Sequence, residues 1–298
     1  MAQAVEMDSG RTTAGTGGPA APLAFFRRLW EAEPLLARTG ALLLAVFPLF
    51  LAGLWLDPRT ITGAPAWMKP AKFAVSTALY TFTLAWVFLS LREWPRLRRV
   101  VGRVTAVVMV GEVALIALQA ARGRASHFNV ETPLDAAVFG IMGTAIGIQT
   151  LAAAAVAVAL WRQPFADRAR GWALRLGLTL TVLGASTGGL MTRPTAAQLE
   201  AARATHSMPR AGSHTVGAPD GGPGLPGVGW STRHGDVRVP HFMGLHALQA
   251  LPLLAWLLRG RTERTRVLLT LAGGAVYALT FTLLLVQALS GRPLIALG

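Results

Sequence analysis

Seven stretches of this chain stay apolar for long enough to cross a lipid bilayer, and that limits its fold more than any other feature. A hydrocarbon core of about 30 Å needs roughly 20 apolar residues in a helix. The stretches fall at 36–56, 71–91, 99–121, 134–161, 172–191, 241–259 and 266–289. The expected fold is all-α, a polytopic membrane bundle of seven transmembrane helices with a long loop between the fifth and sixth. The fourth stretch exceeds the need, so it is expected to tilt or to run beyond the bilayer.

Composition agrees. The chain is 53% hydrophobic and only 14% charged, against about 25% charged in soluble domains. A net charge of +14 is one mark of a nucleic-acid binder. Here the arginines sit in short clusters between apolar runs, which is how topology signals look. No nucleic-acid partner is expected; the lipid bilayer is the expected surrounding. The chain has no cysteine, which excludes disulfide, thiolate and iron–sulfur chemistry from its own residues.

The basic clusters fix an expected orientation. They are "LREWPRLRR" after span two, "WRQPFADRARGWALR" after span four and "LRGRTERTR" after span six, joined by Arg27, Arg28 and Arg38. The positive-inside rule makes this side cytoplasmic. The expected location is a bacterial inner (plasma) membrane, with the N-terminus cytoplasmic and the C-terminus extracytoplasmic. Residues 1–22 are rich in Gly, Ala, Thr and Ser without an apolar core and read as a disordered cytoplasmic tail, not a signal peptide. Residues 23–298 then form the transmembrane domain, opened by a short interfacial helix in "PLAFFRRLWEAEPLLAR".

The unusual residues collect in the outer loops, and the long one, 192–240, reads as a cap. Thr195 and Gln198 have capping-box spacing, so a short helix is expected near 195–206. Residues 207–240 are rich in Gly and Pro, the composition of a flexible linker, yet they carry His214, Asp220, Trp230, Asp236 and Arg238. Flexible linkers lack such residues, which favours an ordered cap. Gly143 with Gly147, and Gly184 with Gly188, have the spacing that lets helices approach closely in lipid.

Polar groups inside the spans are the candidate site. Span six opens "VPHFMGLHALQ". On a continuous helix His241 and His246 point about 140° apart, while His246 and Gln249 share a face. From the outer surface His246 lies about 9 Å down and Gln249 about 14 Å down; Glu112 in span three lies at about the same 14 Å. A mid-membrane glutamate is costly unless neutral, paired or hydrated. Glu112 and His246 are therefore the candidate catalytic pair, expected to share one polar pocket with Gln249. Further candidate binding residues are Lys72, His127, Asn129, His241 and Arg238. His127, His241, His246 and His214 are the candidate metal ligands. Lys69 and Trp67 hold the ordinary places of a snorkelling lysine and an interface aromatic.

The strings "WMKPAKF", "SHFN", "HTVGAPDGGPGLP", "WST", "GDVRVPHF" and "GLHALQ" together resemble a family of uncharacterised bacterial multi-pass integral membrane proteins, across most of the chain from the first span onward. The resemblance carries no activity or site residue. The seven-span hydrolases related to alkaline ceramidases fit less well. Their early Ser–His pair corresponds here to Ser76 and Tyr80, and their late HxxxH is HxxxxH.

Three function classes remain. A membrane-embedded enzyme or redox protein would use the histidines with haem, a divalent metal or a quinone as cofactor. A small-molecule or proton-coupled transporter would titrate Glu112 beneath a gating cap; no internal repeat supports it. A non-catalytic sensor or assembly factor is the third. In the first two, the ligand is a small or lipid-soluble molecule.

Overall fold

The computed structural model describes residues 20–297. Most of the stretch read as a tail lies outside the described residues, and helix α1 (Ala20–Ala32) already begins before its expected end at residue 22. Then follow α2 (Pro34–Leu56), a two-stranded hairpin β1 (Thr60–Ile61) and β2 (Ala64–Pro65), α3 (Met68–Phe88), α4 (Pro95–Ala121), α5 (Pro133–Arg162) and α6 (Arg168–Ser186). The segment after α6 contains α7 (Gly188–Met191), α8 (Ala196–Thr205), and strands β3 (Thr215–Val216) and β4 (Gly235–Asp236). The chain closes with α9 (Arg238–Leu245), α10 (Ala247–Leu257) and α11 (Glu263–Leu289).

Among the described residues, six helices are long and apolar enough to cross a membrane, or seven when α9 and α10 count as one bent span. The molecule is an all-α polytopic helical bundle. Helix starts follow local chemistry. Proline opens α2, α4 and α5, where its missing N–H is an orphan in any case. Thr132, Asp167 and Thr262 cap α5, α6 and α11 through side-chain oxygens that accept from backbone N–H groups in the first turn.

Two groups of helices share the bundle. Helices α2, α3 and α4 pack together, as do α6, α9, α10 and α11, and α5 bridges α4 to α6. Of the two glycine pairs, only one makes a close approach. A Cβ on Gly184 of α6 would lie 2.5 Å from the Gly244 Cα of α9, so the two backbones touch. Gly143 and Gly147 have nothing within 4 Å of a Cβ position; they bring no helix close.

The sixth span departs from the expected continuous helix. It bends by 44° between α9 and α10, and His246 sits at the joint with φ −89° and ψ 0°. The break is supported from α6. The Thr181 hydroxyl donates to the Leu245 carbonyl at 3.3 Å and accepts from the Leu248 N–H at 3.3 Å. The Tyr277 hydroxyl of α11 donates to the Met243 carbonyl at 2.6 Å. Backbone groups freed inside a span must find partners of this kind. Thr181→Val keeps the shape and removes both bonds, so it is expected to cost about 1–3 kcal/mol. A thermal melt in detergent checks this; an unchanged midpoint would mean that the break needs no outside support.

Candidate functional site at the capped end of the bundle

Helices α3, α5 and α9 begin, and α4, α6 and α11 finish, at one end of the bundle. The segment from Met191 to Asp236 folds over that end. It starts with α8, closed by the capping box that the sequence predicts: the Thr195 side chain accepts from the Gln198 N–H while Gln198 accepts from the Thr195 N–H. The Gln198 amide also clamps Gly212, accepting from its N–H at 3.0 Å and donating to its carbonyl at 2.9 Å.

The cap is tied to the bundle by backbone pairing. Val130 N donates to Pro209 O at 3.0 Å, Ala211 N to Phe128 O at 2.8 Å, and Ser213 N to Met191 O at 2.9 Å. Asn129 and Arg210 form an antiparallel bridge. The turn that allows this pairing is strained. Phe128 is buried at 2% exposure and has φ +62°, a backbone state that bulky residues rarely adopt. A Cβ on Gly212, at φ +113°, would lie 2.4 Å from the Met191 carbonyl oxygen and 2.7 Å from the Phe128 ring, so glycine is required there. Asn129 is structural, its Oδ1 accepting from Glu131 N at 3.1 Å.

Asp220 organises the cap. Its carboxylate accepts from Ser213 Oγ, His214 N, His214 Nδ1, Thr215 N and Arg210 Nη2, at 2.9–3.0 Å. Burial opposes its ionisation, but the hydrogen bonds from His214 and Ser213 hold the carboxyl well below the ordinary carboxylate range. Because Nδ1 of His214 faces a carboxylate, it carries the proton, and Nε2 is the free basic nitrogen.

Beneath the cap, three elements bring polar groups together. Glu112 of α4 is 3% exposed. Its Oε1 lies 3.7 Å from His127 Nε2, and its Oε2 is buried without a partner. Lys69, in the first turn of α3, lies over the Phe73 ring at 5.8 Å; the same ring stands 5.9 Å from His127. Lys69 is within electrostatic range of Glu112, Arg210, Arg238 and Asp220. Phe128 separates His127 from His214, with ring centroids 6.2 and 4.8 Å away. His127 and His214 each keep 23% of their side chain accessible.

Burial, with positive charge at Lys69 next, holds the His127 imidazole well below its ordinary value. Burial also lowers His214, although Asp220 pulls the other way. Both rings are neutral at neutral pH. The ordinary value is near 6.5, so below it the unfolded chain binds more protons than the folded one. The stability linked to these rings is complete above about pH 6.5 and falls as the pH drops through that window, where Asp220 stays ionised. Backbone hydrogen exchange over 209–215, corrected for intrinsic rates, is expected to quicken between about pH 7 and pH 5.5. Equal protection at both ends would contradict it.

Of the other expected site residues, His241 and Arg238 lie within electrostatic range of this group but are held by partners of their own, while Lys72, His246 and Gln249 lie apart. His241 Nδ1 donates to the Gly184 carbonyl at 2.8 Å and lies 3.2 Å from Thr187 Oγ1, pinning α9 to the top of α6. Arg238 is paired with Asp236. Lys72 is exposed on α3. His246 packs its ring 4.2 Å from Phe242, and Gln249 donates to Thr83 Oγ1 at 3.2 Å. Among the described residues neither His246 nor Gln249 hydrogen bonds to Glu112. His246 and Gln249 do share a face, their side chains lying within hydrogen-bonding reach of each other; the expected contact with Glu112 is what the fold does not make. Among the described residues no three His, Asp or Glu side chains form a group that could hold a metal ion; His127, His214, His241 and His246 do not converge as a ligand set. The sequence reading missed Lys69 and Asp220 as members of the site.

Comparison with protein-family models, with curated proteins and with solved structures finds no match.

Proposed function

We propose that this protein is a multi-pass protein of a bacterial inner membrane that binds a small molecule beneath its extracytoplasmic cap and performs acid–base chemistry on it. The observation that carries this reading is Glu112, buried with one oxygen unpartnered, beside the neutral imidazole of His127 and the amine of Lys69. A span bears the cost of such groups only for a reason, and polar groups of perturbed environment gathered together mark functional sites. The chemistry has matching parts. His214, oriented by Asp220, presents a basic Nε2, the arrangement of a general base held in one tautomer. Lys69 supplies a positive charge for an anionic or carbonyl-bearing ligand. Glu112 is the remaining proton-exchanging group. The reading rests on the chain's own side chains.

The test compares wild-type protein with Glu112→Gln and His214→Ala, each incubated with an extract of small polar metabolites and followed by mass spectrometry. At least one compound is expected to change with the wild type and with neither variant. Identical profiles for all three would contradict the reading. An absorbance spectrum and metal analysis of the purified protein accompany it; a Soret band or stoichiometric metal would replace acid–base chemistry with cofactor chemistry.

A second reading, a transporter, draws on one observation. Discontinuous helices form the binding sites of many transporters, and α9–α10 is broken at His246. Uptake of a compound into proteoliposomes without its chemical change would favour it.

A further inference from the structure

One polar seam lies outside this group. On α3, Lys72, Ser76, Leu79 and Thr83 recur at helical spacing and share one face. Lys72 and Ser76 are exposed, Leu79 is 44% exposed and Thr83 half-buried, so the upper part of this face is left open. On α9–α10, Arg238, Phe242, His246 and Gln249 recur in the same manner, with Phe242 49% exposed. The two elements run in the same direction from the capped end. Among the described residues, one hydrogen bond joins them, from Gln249 Nε2 to Thr83 Oγ1 at 3.2 Å.

Lys72, in the first turns of α3, and Arg238, at the start of α9, both stand at the capped end, and Lys72 is within electrostatic range of Arg238. The result is a cleft closed at depth by the Thr83–Gln249 bond and open along its side. Its rim is positive. Asp236 and the Gly229 carbonyl hold Arg238 by Nε and Nη2, which leaves Nη1 free and the guanidinium fixed. Lys72 has no carboxylate within 4.0 Å among the described residues. The wall below is apolar, made by Val75, Leu79 and Phe242. Trp230 of the cap packs edge-on against Phe242 at 5.5 Å and roofs the cleft.

We propose that this cleft binds an anionic lipid, with its phosphate at Lys72 and Arg238 and one chain running along Val75, Leu79 and Phe242. An unpaired cation above an apolar wall is complementary to a lipid phosphate and its chain, and a side opening admits the molecule from the bilayer plane. A water-soluble anion would leave the wall unused; a neutral lipid would leave Lys72 unpaired. The assignment does not depend on the chemistry beneath the cap.

The experiment uses the full chain in nanodiscs of phosphatidylcholine doped with phosphatidylglycerol, followed by native mass spectrometry of retained lipid. One lysine near the membrane surface contributes roughly 1 kcal/mol to binding an anionic lipid, so phosphatidylglycerol is expected to be retained about fivefold over phosphatidylcholine. Lys72→Gln should bring the ratio close to one, and Lys72→Arg should restore it. Because Lys72 is exposed and unpaired, the thermal midpoint of each variant should match the wild type. Phe242→Ala should lower retention of both lipids. An unchanged ratio in Lys72→Gln would overturn the proposal and mark ordinary annular lipid. Equal competition by inorganic phosphate would overturn it too, in favour of a site for the free anion.

Discussion

Replacing Asp220 with alanine is expected to release the cap while leaving the helices folded. The carboxylate is buried, with 7% of its side chain accessible. It satisfies two backbone N–H groups, the Ser213 hydroxyl, the His214 ring and the Arg210 guanidinium. Removing it strips a partner from all five and leaves the His214 N–H, the His214 ring and Arg210 without their acceptor, while Ser213 Oγ and Thr215 N keep each other's residue as a second partner. Breaking a buried pair typically costs about 3–5 kcal/mol; Arg210 is 33% accessible and can rehydrate, so the lower end applies. A loss of about 3 kcal/mol raises the open fraction of the cap roughly a hundredfold. Trypsin cleavage after Arg203, Arg210 and Arg233 should quicken accordingly, with the thermal midpoint of the bundle little changed. Cleavage at the wild-type rate would mean that Asp220 does not organise the cap. Asp220→Asn should fall between, since an amide accepts fewer of these bonds.

The second large effect is expected at the α6–α9 contact, with a control of opposite sign. Gly184→Ala sets a Cβ 2.5 Å from the Gly244 backbone, where no side chain can rotate aside. Overpacking typically costs about 1–3 kcal/mol; a backbone-to-backbone clash belongs at the upper end or beyond it. The same substitution at Gly143 or Gly147 meets nothing within 4 Å, and alanine favours a helix over glycine by about 1 kcal/mol. Gly184→Ala should therefore lower the melting midpoint sharply, and Gly143→Ala should leave it unchanged or raise it. Equal responses at the two sites would remove the contact as a determinant of the fold.

This contrast also shows what the sequence can reveal. The spans were legible because lipid imposes one rule on every segment, and apolar length reports it directly; the helices fall close to the expected boundaries. The Thr195–Gln198 capping box was legible because it is a local pattern. The glycine pairs were equivalent as patterns, yet only Gly184 meets another backbone, since the answer depends on which helix lies opposite. The break at His246 was hidden for the same reason. Gly244 stands two residues before the joint, but the groups that support the break, Thr181 and Tyr277, come from other helices.

The site was legible in part. Glu112 stood out by its cost in lipid, and His127 by its place near the same end. Their juxtaposition depends on the reversal at Phe128, and no periodicity announces a positive φ. Lys69 and Lys72 exchange their expected places. Three residues on a helix turn the chain by about 300°, and the sequence does not say which face meets Glu112. Asp220 sits in a Gly/Pro-rich stretch with no period, so only the folded turn reveals its five donors.

The central claim is that the cap, carrying His214 and Asp220, docks on the loop that carries His127. The chain has no cysteine, so one engineered pair reports this docking without background. Asn129 and Arg210 lie opposite each other in the antiparallel bridge between that loop and the cap, within the span of a disulfide. The measurement is disulfide formation in the Asn129→Cys, Arg210→Cys double variant, in native membranes under mild oxidation. The docked cap predicts near-complete intramolecular cross-linking, well above that of a control pair at positions 129 and 222. Cross-linking no greater than the control would contradict it and leave Glu112 and His127 without His214.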